Sequence, residues 1–158
     1  MKKSLLIFIA VLTVGTASAQ INKGSILVGG SSNLNFSSVK PDGSSSYSLF
    51  NIDLKGGYFV ADNFAAGLNL GYQKIDDFSY TTFGLFGRYY YQGKFFGGAG
   101  ISIVSPEGGD SETLIPFEAG YAAFITENIA VEPSLSFSIG ENSNTFGLRV
   151  GFSIYLNR

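Results

Sequence analysis

The chain has 158 residues, of which 15% are aromatic, 14% are charged and 21 are glycine, with a formal net charge of −2 and neither histidine nor cysteine. The lack of cysteine excludes a disulfide framework and lipid attachment at a mature N-terminal cysteine, and the weakly acidic balance speaks against the clustered basic surface that nucleic acid requires. So few charges would poorly cover a domain wholly surrounded by water, and part of the surface is therefore expected to face something else.

In chain order, Lys2 and Lys3 are followed by an apolar run from Leu5 to Val14 and by the small residues Ala17, Ser18 and Ala19. Basic, apolar, then Ala-x-Ala is the order of a secretory signal, and the run is too short for the ~20 apolar residues of a spanning helix. Residues 1–19 are thus expected to be a cleaved signal peptide and residues 20–158 a single domain. After Ala19, period two dominates. It predicts eight strands at about 24–37, 47–60, 64–75, 80–92, 95–105, 113–126, 129–140 and 145–157, each long enough for the ~9–11 tilted residues of a transmembrane strand.

The connections alternate in length. "ADN" (61–63), "GK" (93–94) and the residues around Glu127 and Asn128 read as tight turns, whereas "SSVKPDGSSS" (37–46), "DDFS" (76–79), "PEGGDSE" (106–112) and "ENSN" (141–144) are longer. Together these features predict an all-β fold: an eight-stranded antiparallel up-and-down transmembrane β-barrel with short periplasmic turns and longer extracellular loops. Pro116 and Pro133 fall inside two of the strands, and a bulge or an end of regular pairing is expected at each.

Every strand has one apolar face, illustrated by Ile26, Val28, Leu34 and Phe36 in the first and Phe50, Ile52, Leu54, Tyr58 and Val60 in the second. In the last strand that face is Phe146, Leu148, Val150, Phe152, Ile154 and Leu156, expected to meet lipid. The opposite faces carry glycine, serine, asparagine and six charges: Asp53, Lys55, Arg88, Glu118, Glu132 and Arg149. Alternation forces these six to one side. If they faced out, the interior of a small barrel would have to hold every apolar side chain. If they face in, small residues leave room for long ones and three acids balance three bases. A Lys or Arg facing lipid at the midplane costs ~2–4 kcal/mol, so in a membrane the six are expected to form a lumen charge network, with Arg149 among Asp53, Glu118 and Glu132.

The signal sequence, the stretches "GGYFVADNFAAGLNLGY" (56–72) and "GLNLGY" (67–72), and the terminal "TFGLRVGFSIYLNR" resemble the small OmpA/OmpX-type outer-membrane β-barrel proteins of Gram-negative bacteria. The resemblance covers essentially all of the mature chain. It implies location in the cell outer membrane of a Gram-negative-type bacterium, contact with outer-membrane lipid and lipopolysaccharide, and assembly by the outer-membrane insertion machinery. That machinery's signal is a C-terminal strand of alternating apolar residues usually ending in an aromatic. Here Tyr155 is followed by Leu156, Asn157 and Arg158. The barrel enzymes of this location require histidine or a close set of acids and hydroxyls, and this chain has no histidine.

No cofactor, metal or catalytic site is therefore expected. Glu107, Asp110 and Glu112 of "PEGGDSE" do not have the spacing of a calcium loop. The proposed outer side carries seven acids against two lysines, which permits cation bridging to lipopolysaccharide but reads more simply as a solvated rim. The function expected is a non-enzymatic structural or surface-interaction role with a lumen closed by ion pairs and an unidentified extracellular partner. A small pore or hydrophobic-ligand channel is the alternative, and a soluble secreted ligand-binding barrel comes after it.

Overall fold

The computed structural model describes residues 21–33, 49–75, 78–141 and 144–158. The expected signal peptide, the loop at 37–46, Leu34 and Phe36, the side chain of Phe50, Asp76 and Asp77 lie outside the described residues. The strands are β1 (Ile26–Asn33), β2 (Leu49–Ala61), β3 (Phe64–Ile75), β4 (Phe78–Tyr91), β5 (Phe95–Pro106), β6 (Glu112–Tyr121), β7 (Ala123–Phe124), β8 (Ile129–Gly140) and β9 (Asn144–Leu156). Consecutive strands pair antiparallel except β6 with β7, β1 pairs with β9, and β6 pairs directly with β8. The sheet thus closes on itself. Only Ala122 separates β6 from β7, and both pair with β8, so the two form one stave of an eight-stranded barrel.

Residue alternation decides which side chains point out. Leu54 pairs with Leu70 and Leu85 with Ile101, and these four are 51–53% exposed. On the opposite faces of the same strands, at odd offsets from Leu54 and Leu85, Arg88, Phe59 and Tyr90 are 3% exposed or less. The β-branched and aromatic residues that favour extended backbone thus lie mainly on the outer surface. Among the described residues Lys74, next to the end of β3, is the one charged side chain on the outward strand face.

The prolines interrupt pairing without inserting a residue. The β5–β6 ladder breaks between Ala99↔Phe117 and Ser102↔Leu114, around Pro116. The ladder to β8 breaks between Gly120↔Ser134 and Ala123↔Val131, beside Pro133. Register is the same on both sides of each break, as expected from a missing N–H donor rather than a bulge. The register shift that does occur lies between Phe59 and Ala61, where β2 meets β3.

Two expected loops are shorter than the sequence suggested, because pairing continues into them. Phe78 pairs with Ile75 and Asn144 with Ile139, which leaves only residues 76–77 and 141–143 between strands. At the opposite end Asn63, Gln92 and Gly93 adopt positive φ (60°, 53° and 65°), which closes the turns after β2 and β4. Both described chain ends lie here too: Asn63 N–H donates to Ile21 O, and Ser25 Oγ donates to Asn157 O. This is the turn end of the barrel; the connections after β3, β5 and β8 lie at the opposite end, the loop end.

Candidate functional site

The lumen is layered along the barrel axis. At the turn end, inward positions near the tight turns carry Phe59, Tyr90, Phe96 and Tyr155, joined by Ile21, Leu27 and Phe86 in one buried cluster. Tyr90 stacks at 5.7 Å from both Phe59 and Phe96 and at 6.0 Å, edge-on, from Tyr155, all within the favourable range for aromatic pairs. Room for these rings comes from glycine. A Cβ on Gly57 would sit 3.2 Å from Phe86, and one on Gly120 would sit 2.5 Å from Phe96. Ile21, fully buried, completes the plug, its N–H bonded to Asn63 Oδ1 at 3.1 Å. The sequence pattern predicts glycine, serine, asparagine and charge on the inward faces; the structure adds an aromatic plug at the turn end. Runs such as Tyr89-Tyr90-Tyr91 and Phe95-Phe96 hold its signal, since consecutive strand residues cannot all point outward.

Next comes a layer of ion pairs. Arg88 (β4) reaches Glu118 (β6) at 2.7 Å and Glu132 (β8) at 2.7 Å. Lys55 (β2) caps Glu118 from the other side at 2.6 Å. The Tyr155 hydroxyl donates to Glu132, and Arg88 Nη1 donates to the Tyr90 hydroxyl at 3.0 Å, so the ion layer and the plug share hydrogen bonds. The guanidinium also lies 4.1 Å from the Phe96 ring centre, within cation–π reach. Two cations and two carboxylates thus neutralise one another across four staves.

Asp53 and Arg149 point into the same lumen but stand outside this quartet. Arg149 does not reach Glu118 or Glu132, whose oxygens Lys55, Arg88 and Tyr155 already occupy. Its Nε is buried and has no hydrogen-bond partner, and the same holds for Ser31 Oγ. Both acid and base line a cavity of about 360 Å³ that extends from the ion layer towards the loop end, together with Asn69, Gln73, Thr82 and Ser102. On the closing strand Phe146, Leu148, Val150, Phe152 and Leu156 are exposed on the outer surface and Ile154 is partly so. Among the described residues no three acids lie together in a way that could hold a metal ion. Arg158, beyond the last strand, stacks 3.8 Å from the Phe124 ring and donates to Glu127 O, which ties down the chain end.

The N-terminal β-barrel domain of OprF from Pseudomonas aeruginosa superposes with a TM-score of 0.64 at 17% identity, covering 85% of this chain and 98% of that one. The fold is that of the small outer-membrane barrels of the OmpA/OmpX type. Ail of Yersinia pestis, an outer membrane protein determined in a phospholipid bilayer nanodisc, gives 0.56 at 14% identity over 85% of this chain and 99% of its own. The outer membrane protein OprG from Pseudomonas aeruginosa gives 0.50 at 12% over 85% and 93%. No protein-family model and no curated protein matches the sequence. At these identities the likeness concerns the fold alone.

Proposed function

We propose that the protein is a non-enzymatic outer-membrane barrel, exported by the signal sequence at residues 1–19, with a structural or surface-interaction role and a lumen closed by its plug and ion pairs. The observation that carries this reading is the separation of faces. Apolar side chains cover the outside on every stave, while Lys55, Arg88, Glu118 and Glu132 pair inside. In water such an outer surface would be one continuous apolar patch, far beyond the few hundred Å² that soluble monomers expose. In a bilayer it is the favourable solvent contact, and lipid with lipopolysaccharide is the partner it fits. Outward Phe146 to Leu156 would give the insertion machinery an alternating strand to engage, ending in Leu156 rather than an aromatic.

The closed lumen is supported by the buried cluster around Tyr90 and Tyr155, which fills the turn end. Envelope fractionation combined with planar-bilayer recording tests both parts. The protein is expected in the outer-membrane fraction, released only by detergent, and without unit conductance steps. Release into the aqueous phase without detergent would overturn the membrane reading, and steady steps from the wild-type protein would replace the closed lumen with a pore.

A further inference from the structure

The four charges of the ion layer satisfy one another, which leaves one acid and one base facing the cavity above it. Among the described residues neither Asp53 nor Arg149 is in a salt bridge. They are held apart by the sheet. Asp53 pairs with Ser31 on β1, and Arg149 pairs with Asn33 on the far side of the same strand. Their backbones are therefore separated by two strand spacings, about 10 Å, as well as by two residues along β1. Both nonetheless line one cavity, so the two opposed charges face one shared space. That space, about 360 Å³, falls within the usual range for small-molecule sites.

We propose that this cavity binds a small zwitterion, with its carboxylate on the Arg149 guanidinium and its ammonium on Asp53. Three features favour such a molecule over a simple anion or cation. A buried guanidinium nitrogen with no acceptor is costly, and a carboxylate is the group whose geometry suits it best. A lone anion would leave Asp53 beside a second negative charge, and a lone cation would do the same to Arg149. The loop end carries Glu107 and Asp110, whose field lowers the local concentration of free anions but acts weakly on a molecule of zero net charge. Val104, Leu114 and Pro116 on the opposite wall give a short carbon chain an apolar surface. Because the turn end is plugged, the molecule enters and leaves from the loop end, and the cavity is a cup rather than a passage. The inference needs only the closed barrel, not its cellular location.

The test is side-chain ¹⁵N NMR of the Arg149 Nε–H in the detergent-folded full chain, with Arg149→Lys assigning the signal. Glycine, 4-aminobutanoate, acetate and methylammonium are titrated in turn. The better of the two zwitterions is expected to move the Arg149 signal with an affinity at least about tenfold above that of acetate or methylammonium, a difference of about 1.4 kcal/mol. Asp53→Asn is expected to bring the zwitterion down to the level of acetate. Equal affinities for all four probes, no movement with any of them, or an Asp53→Asn variant that binds the zwitterion undiminished would each overturn the proposal. The wild-type titrations decide the matter even if the variant does not fold. Heating the same sample and following its gel mobility reports on the barrel separately.

Discussion

Replacing Arg88 by Met would remove the cation that both lumen carboxylates share. Arg88 is 3% exposed, lies 2.7 Å from Glu118 and from Glu132, and donates to Tyr90 at 3.0 Å. Without it Glu118 keeps Lys55, but Glu132 keeps only the Tyr155 hydroxyl. Removing one partner from a buried pair costs about 3–5 kcal/mol, chiefly through the charge left behind, and that is a large part of the ~5–15 kcal/mol that holds an ordinary domain together. The same reasoning predicts a rescue. With Glu132→Gln added, the stranded charge disappears, and the double variant is expected to be at least ~1 kcal/mol more stable than the sum of the single losses implies. Urea titration in lipid vesicles measures this, with the folded fraction followed by far-ultraviolet circular dichroism and unheated gel mobility. An Arg88→Met loss below ~1 kcal/mol, or strictly additive losses in the double variant, would refute a shared buried network.

Other perturbations follow from neighbouring features. Leu70→Arg places a charge midway along the outer face and is expected to cost ~2–4 kcal/mol in vesicles, whereas Lys74→Leu, near the loop end, is expected to cost little; equal losses would argue against lipid contact. Tyr155→Phe removes the hydroxyl that bonds Glu132 and Tyr90 and leaves those groups buried, for an expected loss of ~1–3 kcal/mol with the barrel retained. Gly120→Ala would bring a methyl group within 2.5 Å of Phe96 and 2.6 Å of Pro133 O; the displaced ring is expected to cost ~1–3 kcal/mol, and an unchanged urea midpoint would show that the plug adapts.

Period two was sufficient to find all eight staves and to sort their faces, because closing a barrel leaves only two sides and alternation assigns every residue to one of them. It could not say that the inside divides into layers. That division depends on register, which decides that Arg88, Glu118 and Glu132 meet while Asp53 and Arg149 remain apart. Each strand read singly carries no register information. The strand ends at 76–79 and 141–144 were misplaced because Asp, Ser and Asn read as loop residues, while the ladder beyond them gained more from pairing Phe78 and Asn144 than those propensities cost. Pro116 and Pro133 were legible as sites of broken pairing, and the intact register around them shows how little a closed sheet must yield to accommodate one missing donor.

In the proposed function the apolar face meets lipid and the charged face does not. Because the chain has no native cysteine, single cysteines at Leu54, Leu85, Ser102 and Ser134 can be spin-labelled without background and their collisions with oxygen and with a water-soluble nickel chelate measured in vesicles. Labels at positions 54 and 85 are expected to collide with oxygen and to be shielded from the chelate, while labels at 102 and 134 are expected to be shielded from lipid-dissolved oxygen. Free chelate access at 54 and 85, with oxygen favoured at 102 and 134, would contradict this arrangement.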